Sequence, residues 1–304
     1  MAIADVAIFM MRSWHRQHWG PNGKSIDPSY LSLMKASKFL STIILLALTF
    51  VSFSVAKEDD WIRILLLGDS TTEGSVPRRL KPEGPHLEQV IRHLLHADPE
   101  ISRCKVYNEG VSGEYIHRLL DSGRYDRDVA TKEPLDYIFI RYGINDKAKR
   151  EGFETNFPAD FKLLLEKLRQ DHPDALLIPM TVIPFSNEET SQKINSLIRK
   201  VAEEEKLEVF DIYPRYAAEL EKGHNMLNYR RYPLAKIPEV HHEWLKPRLQ
   251  GDRVEVMDNE LDGLFGHLPG WFGDRHPNLA GYNVIADETA KYLMPILKKR
   301  MARQ

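Results

Sequence analysis

The strongest constraint on the fold is an aliphatic run that ends on a short polar turn. Residues 62–67 read Ile-Arg-Ile-Leu-Leu-Leu, and Gly68, Asp69 and Ser70 follow at once. Such a run, bounded by glycine, is typical of a buried strand in a parallel α/β sheet, and ligands bind at the carboxyl ends of strands in these sheets. Ser70 therefore stands where a serine can act as a nucleophile. The alternative is that Asp69, Ser70 and Thr71 only cap the next helix.

Apolar runs and helical patterns alternate along most of the chain. The runs that suit strands are Ile62–Leu67, Lys105–Tyr107, Tyr137–Ile140, Leu176–Thr181 and Val209–Ile212. Helical periodicity appears in His86–His96, near Tyr115–Leu120, and in Phe157–Gln170, Glu188–Glu205 and Leu279–Leu297. Alternation of this kind predicts a three-layer α/β/α fold with a flavodoxin-like, parallel sheet of five strands.

A serine nucleophile needs a base and donors for the oxyanion, and candidates stand at suitable places. His276 lies in the segment 273–278, which precedes the last helical pattern, and is the candidate base. Asn145 follows the third strand-like run, and its amide could donate to an oxyanion. Gly110 follows the second run, within the segment Asn-Glu-Gly-Val-Ser-Gly, and offers a backbone N–H with no side chain in the way.

Four blocks in a fixed order strengthen this hypothesis. They are Gly-Asp-Ser at 68–70, Gly110, Gly-Ile-Asn-Asp at 143–146 and His-Pro-Asn at 276–278. Together they resemble the SGNH hydrolases, also called GDSL-type esterases and lipases, over roughly residues 62–297. The resemblance implies that Ser70 is the nucleophile and His276 the base. It also implies an oxyanion hole formed by the N–H groups of Ser70 and Gly110 and the side chain of Asn145.

The chain departs from this family at the triad acid. In the family the acid usually stands three residues before the histidine, where this chain has Gly273, whereas Asp274 stands two residues before it. Asp274 is the favoured acid. The alternatives are a backbone carbonyl or another carboxylate, such as Asp262 or Asp258.

The segment 213–271 interrupts the alternation and is predicted to be an insertion before the histidine. It is long and rich in aromatic residues, which argues against disorder. We interpret it as a lid or substrate wall, and the alternative is an insertion whose aromatic residues fill their own core. The candidate substrate-binding residues are Tyr229, Arg231, His242, Trp244 and Trp271.

The amino-terminal segment has the pattern of a signal peptide. Residues 34–56 carry two lysines, then an apolar stretch, then Ser-Val-Ala before a charged segment, which predicts cleavage before Lys57. Residues 1–33 show no coherent pattern and are interpreted as a non-native extension, which leaves 57–304 as the hydrolase domain. The alternative is a membrane anchor, although the apolar stretch is shorter than the ~20 residues that a spanning helix needs.

The composition and the spacing of cysteine and histidine argue against a nucleic-acid partner, an internal disulfide and a metal site. The net charge is −2 and the basic residues are scattered, so nucleic acid is not expected as a partner. The single cysteine, Cys104, allows no internal disulfide and is predicted to be an inert buried residue. The histidines show no spacing typical of a zinc site, so neither a metal nor another cofactor is expected.

These observations predict a periplasmic or secreted serine esterase that acts on a small-molecule or polysaccharide ester. A short acyl group, acetyl above all, carried on a carbohydrate is the preferred substrate. Two alternatives remain: an O-acyltransferase of the same fold, and a non-catalytic carbohydrate-binding protein.

Overall fold

The computed structural model describes residues 61–101, 103–223 and 227–302. A parallel sheet lies at its centre, with the strands β1 (Ile62–Gly68), β2 (Cys104–Gly110), β3 (Tyr137–Arg141) and β4 (Leu176–Pro179) in the order β2-β1-β3-β4. The register pairs Gly68 with Gly110 and with Arg141. The carboxyl ends of β1, β2 and β3 are therefore level, and the loops that follow them meet at one edge of the sheet.

The helices cover both faces of this sheet, which confirms the predicted α/β fold with helices flanking a parallel sheet. They are α1 (Ser70–Glu73), α2 (Ser75–Leu80), α3 (Leu87–His96), α4 (Ile116–Asp121), α5 (Ile144–Lys149), α6 (Phe153–Asp171), α7 (Glu188–Glu204), α8 (Tyr213–Gly223), α9 (His242–Leu245), α10 (Asp262–Phe265) and α11 (Leu279–Met301). A short π-helical segment spans Tyr125–Val129. Among the described residues, no helix is long and apolar enough to span a bilayer.

Two hydrophobic cores follow from the alternation of side chains along the buried strands. In β1, Ile64 and Leu66 face a core shared with α3 and α11, whereas Leu65 and Leu67 face a core shared with α4, α6 and α7. Because successive side chains of a strand point to opposite faces, a strand between two helical layers must be apolar at nearly every position. This requirement explains the continuous aliphatic run in the sequence.

The predicted count of five strands is wrong for the described residues, because Val209–Ile212 forms no strand. Phe210 makes a single parallel bridge to Met180. The N–H of Phe210 donates to the carbonyl of Pro179, and the N–H of Thr181 donates to the carbonyl of Phe210. Pro179 has no N–H with which to extend the pairing backwards.

The predicted insertion contains a regular helix and a small domain-like lobe. Its first part is α8, in which Tyr216 is fully buried. Its second part is an antiparallel sheet of β5 (Arg230–Pro233), β6 (Leu249–Gln250) and β7 (Arg253–Val256), in the order β5-β7-β6. The lobe has its own hydrophobic core, which includes Phe265 and Trp271. The predicted leader 34–56 and extension 1–33 lie outside the described residues.

Candidate active site

Ser70 is the first residue of α1 and stands immediately beyond the end of β1. The carboxylate of Asp69 caps this helix, accepting hydrogen bonds from the N–H and the hydroxyl of Thr71 at 2.9 and 2.8 Å. The helix ends after one turn at Gly74, whose φ of 69° is left-handed. The capping interpretation therefore holds for Asp69, and it leaves the hydroxyl of Ser70 available for chemistry.

Two buried side chains hold this turn from below. The hydroxyl of Tyr282, on α11, donates to the carbonyl of Ser70 at 3.0 Å, and the guanidinium of Arg141 donates to the carbonyl of Thr71. Burial raises the pKa of Asp69, although its hydrogen bonds to Thr71 and the nearby charge of Arg141 oppose this shift. Because the carbonyl groups of Ser70 and Thr71 are both anchored, the position of Ser70 is well defined.

His276 reaches Ser70 from the other end of the chain. Its Nε2 lies 3.0 Å from Oγ of Ser70, within hydrogen-bond distance. The imidazole packs between two aromatic rings: Phe185 meets it edge-on with the centroids 4.7 Å apart, and Tyr229 is tilted against it at 5.7 Å. Asn278 caps α11 by accepting the N–H of Gly281, which fixes the start of the helix two residues after the base.

Asp274 lies on the opposite side of the imidazole, despite its position only two residues before His276. Its Oδ1 lies 2.7 Å from Nδ1 of His276 and also accepts the backbone N–H of His276 at 3.0 Å. This second bond closes an Asx turn, in which a side chain bonds the main chain two residues on. The turn folds the carboxylate back onto the ring. A spacing of two residues therefore suffices.

The surroundings of Nδ1 select the tautomer of the imidazole. Nδ1 has two neighbours: the carboxylate of Asp274 at 2.7 Å and Nη2 of Arg231 at 3.1 Å. The nearer neighbour can only accept, so Nδ1 carries the proton and Nε2 presents its lone pair to Ser70. Burial pushes the pKa of Asp274 upward, but the hydrogen bonds and charges of His276 and Arg231 outweigh it and hold the pKa below its usual value. Asp274 is thus ionised at neutral pH.

Three groups in the cleft are candidate donors to an oxyanion. They are the N–H of Ser70, the N–H of Gly113 and the side-chain amide of Asn145, and all three residues line one cleft with His276. Within the described residues none of these donors makes a hydrogen bond. Preorganised donors without a partner of their own are what stabilisation of an oxyanion requires.

Gly110 is displaced from this position, contrary to the sequence-based expectation. Its N–H donates to Oδ1 of Asn108 at 2.9 Å, and it does not line the cleft. Gly110 closes β2, where a Cβ would come within 2.3 Å of the backbone nitrogen of Glu73. A side chain at this position would therefore collide with α1, so glycine allows β2 to pack closely against that helix. Gly113, by contrast, lines the cleft, and its φ of 75° lies in the left-handed region that favours glycine.

The two loops that carry Gly113 and Asn145 are joined beneath the cleft. The carboxylate of Asp146 accepts the N–H of Ile116 and the N–H of Gly143, each at 3.0 Å. Burial raises the pKa of Asp146 to about 7. Nζ of Lys149 donates to the carbonyl of Gly113 at 2.6 Å. These bonds fix the spacing between the loops, so the candidate oxyanion donors are held by the fold itself.

The cleft above Ser70 has a volume of about 190 Å³. Tyr229 and Arg231, two of the predicted substrate-binding residues, line it from the insertion. Two serine hydroxyls, Ser75 and Ser112, lie 3.0 Å from each other at its rim. The remaining wall includes Val76 and Pro77, so polar groups outnumber aliphatic side chains around the cleft.

The other three predicted substrate-binding residues do not line the cleft. Nε2 of His242 bonds the carbonyl of Ile237 at 2.7 Å, and Trp271 is 1% exposed in the core of the lobe. Trp244 stacks against Phe265, with the ring centroids 6.2 Å apart. These contacts correspond to the alternative interpretation, that aromatic residues of the insertion fill a core of their own. Side-chain composition alone cannot distinguish the two cases.

The alternative triad acids are placed elsewhere. Asp262 binds the fully buried Arg230 through two hydrogen bonds, at 3.0 and 2.7 Å, and accepts the indole N–H of Trp271 at 2.7 Å. It therefore serves the core of the lobe. Asp258 accepts the N–H of Glu260 at 2.9 Å in an exposed turn. Neither carboxylate takes the place that Asp274 occupies beside His276.

Metal-ligating residues are not grouped in the described part of the chain: no cluster of three or more His, Cys, Asp or Glu side chains there could hold a metal ion. Cys104 is buried at the start of β2. Burial raises the pKa of its thiol to about 11, so the reactive thiolate is scarce at neutral pH.

The chain is similar to one known protein family and to several solved structures. The sequence model of the GDSL-like lipase/acylhydrolase family matches residues 66–284. No curated protein matches the chain. Similar solved structures include Axe2, an acetylxylan esterase from Geobacillus stearothermophilus, which is 20% identical in sequence. The match covers 76% of this chain and 93% of that chain, with a TM-score of 0.48. Another is a putative GDSL-like lipase from Parabacteroides merdae, with 17% identity, 76% and 96% coverage, and a TM-score of 0.48.

Proposed function

This chain belongs to the GDSL-like lipase/acylhydrolase family, and on that premise we propose that Ser70, His276 and Asp274 form its catalytic triad. The observation that carries the proposal is the continuous contact from Oγ of Ser70 to Nε2 of His276 at 3.0 Å, and from Nδ1 to Asp274 at 2.7 Å. An ionised acid, an oriented base and a hydroxyl within its reach are the elements of serine-based acyl transfer.

The proposed reaction has two proton-coupled steps. Oγ of Ser70 attacks the ester carbonyl while its proton passes to Nε2 of His276, and the oxyanion accepts hydrogen bonds from Ser70, Gly113 and Asn145. Nε2 then gives the proton to the leaving alcohol, which leaves an acyl-enzyme. In the second step Nε2 takes a proton from water, the hydroxide attacks the acyl carbon, and Ser70 departs with the proton. Asp274 stays ionised throughout and stabilises the imidazolium.

We further propose that the substrate is a short acyl ester of a carbohydrate. A cleft of about 190 Å³ is smaller than the roughly 300 Å³ at the lower limit of typical ligand sites, which favours acetyl over long acyl chains. Val76 and Pro77 offer little apolar surface for a chain of methylenes. The hydroxyls of Ser75 and Ser112 suit an alcohol that carries many hydroxyl groups.

Covalent labelling tests the nucleophile directly. A fluorophosphonate probe should label the wild-type protein and the Ser75→Ala variant, because Ser75 lines the cleft but has no base beside it. It should not label Ser70→Ala or His276→Gln. Labelling of a folded Ser70→Ala variant at the wild-type rate would contradict the assignment.

Substrate profiling tests the acyl group and the alcohol. Turnover should be highest on acetylated sugars and aryl acetates and should fall steeply as the acyl chain lengthens to octanoate. Released acid measured with and without added sugar acceptors distinguishes hydrolysis from acyl transfer. Faster turnover of octanoyl than of acetyl esters would refute the proposal of a short acyl group.

Export also remains a proposal, supported by the leader pattern of residues 34–56. Expression from Met34 in a bacterial host should release protein to the periplasm or medium, with Lys57 as the first residue. A product that retains the apolar stretch and sediments with membranes would favour the anchored alternative.

A further inference from the structure

We propose that Arg231 is a positioning residue of the catalytic triad, which holds one carboxylate oxygen of Asp274 so that the other stays on His276. The inference rests on the proposed function, and it extends the triad to a fourth residue supplied by the insertion. Arg231 lies on β5 of the insertion. Ser70, by contrast, follows β1 of the central sheet, and Asp274 and His276 precede α11.

The two carboxylate oxygens of Asp274 contact different residues. Oδ1 accepts the backbone N–H of His276 and lies 2.7 Å from Nδ1, whereas Oδ2 accepts from Nε of Arg231. Rotation of the carboxylate would break the contact with Nδ1, and the bond to Arg231 opposes that rotation. An acid held by a two-residue Asx turn gains a second, independent anchor in this way.

Arg231 is itself held in place before any substrate binds. Its guanidinium lies 5.3 Å above the ring of Tyr229, and that ring also packs against His276. In the antiparallel register Arg231 lies opposite Glu255 of β7. Glu255 is 7% exposed and paired with Arg79 of α2. Cross-strand partners share one face of a sheet, so Arg231 lies on the same face as Glu255.

The position of Arg231 also places a cation beside the base. Nη2 lies 3.1 Å from Nδ1 of His276. The titratable groups that face the imidazole are Asp274 from its own loop, Arg231 and Tyr229 from the lobe, the more distant Asp69 from the nucleophile turn, and Tyr282 from α11. Among these groups Arg231 carries the positive charge, so it opposes protonation of the base.

Two substitutions separate the charge of Arg231 from its shape. Arg231→Met removes both, whereas Arg231→Lys keeps the charge and loses the planar fork that can bond Oδ2 and lie beside Nδ1 at once. In Arg231→Met, kcat should fall about tenfold or more, and the acidic limb of the pH profile of kcat/KM should move to higher pH, because a cation beside the base is removed. In Arg231→Lys, kcat should fall similarly while the limb stays near its wild-type position.

The experiment measures these profiles together with the proton NMR resonance of Nδ1–H in the resting protein, identified by its absence in His276→Gln. Arg231→Met should weaken or lose this resonance. Arg253→Met is the matched control, because Arg253 is an exposed residue of the same small sheet, and it should leave both readouts unchanged. Combined with Asp274→Asn, the Arg231→Met substitution should add little further loss of kcat, since it acts through Asp274.

The outcomes of this experiment distinguish failure of the positioning role from failure of the proposed function. If no ester is turned over and Ser70 is not labelled, the proposed function fails, yet the NMR resonance still tests the role of Arg231. If Arg231→Met folds with the wild-type thermal midpoint and keeps both the resonance and the acidic limb, the positioning role is refuted. A fall in kcat with both of these unchanged likewise refutes it, because it would show a merely structural effect.

Discussion

Substitution of Asp274 by Asn is the sharpest test of the site, because the surroundings of this side chain leave an amide no acceptable orientation. One oxygen of Asp274 faces two groups of His276, and the other faces Nε of Arg231. With its carbonyl toward His276, the asparagine would direct its NH₂ at the N–H of Arg231. With its carbonyl toward Arg231, it would direct the NH₂ at the backbone N–H and Nδ1 of His276.

The second orientation also reverses the tautomer of the base. An NH₂ group at Nδ1 favours the lone pair there, which moves the proton to Nε2 and leaves His276 unable to accept the proton of Ser70. Serine–histidine sites lose about 10⁴ in kcat when their acid is changed in this way. We expect a loss of about 10³- to 10⁴-fold for Asp274→Asn, equivalent to about 4–5.5 kcal/mol of transition-state stabilisation.

The assay is hydrolysis of p-nitrophenyl acetate at saturating substrate, with thermal unfolding measured in parallel. Asp258→Asn is the matched control, because Asp258 lies in an exposed turn, and its kcat should equal that of the wild-type protein. A folded Asp274→Asn protein that retains kcat within about tenfold of wild type would refute the reasoning. It would show that another group orients the imidazole.

Three further predictions concern the oxyanion donors, the loss of stability at low pH and the stability of the lobe. Asn145→Ala should lower kcat by about 10²- to 10³-fold with little change in KM on the same ester. The hydroxyl of Tyr107 and the guanidinium of Arg63 hold the pKa of Glu133 at about 2, below its ordinary 4.5. Ionised Glu133 therefore stabilises the fold fully above pH 4.5, and this stabilisation is lost as the pH falls toward 2. Glu133→Gln should lower the free energy of unfolding by about 1 kcal/mol at neutral pH and by almost nothing near pH 2, as measured by urea titration. Phe265→Ala should destabilise the lobe by about 3–5 kcal/mol, measured by denaturant unfolding.

The elements that local pattern controls were predictable from the sequence. The aliphatic runs of β1 and β3 must be buried on both faces, and this requirement alone identifies them as central strands of a parallel sheet. The loops after parallel strands then share an edge, which brings Ser70 and Asn145 together without any knowledge of side-chain contacts. The place of His276 was predictable from local pattern as well, because it stands two residues before Asn278, the cap of a long helix.

The parts that depend on tertiary contacts were not predictable. Val209–Ile212 has the composition of a strand, but the missing N–H of Pro179 limits its pairing to one bridge. Gly110 was the donor expected from the sequence, but its N–H is bonded to Asn108, whereas Gly113, with a φ of 75°, lines the cleft. Trp271 is an aromatic residue in an insertion whether it contacts substrate or fills a core, and the burial of its ring decides for the core.

The displacement of the acid by one residue and the insertion before the histidine have a common physical explanation. Asp274 reaches the imidazole through an Asx turn, and the turn directs its second oxygen away from His276 toward the lobe. A buried carboxylate oxygen without a partner is costly, so some group on the lobe must satisfy it. Arg231 does so, and in the proposed triad this contact gives β5 a positioning role beside its place in the wall of the cleft. It follows that the lobe must be folded for the triad to be aligned, so a substitution that loosens its core, such as Phe265→Ala, should lower kcat before it unfolds the central sheet.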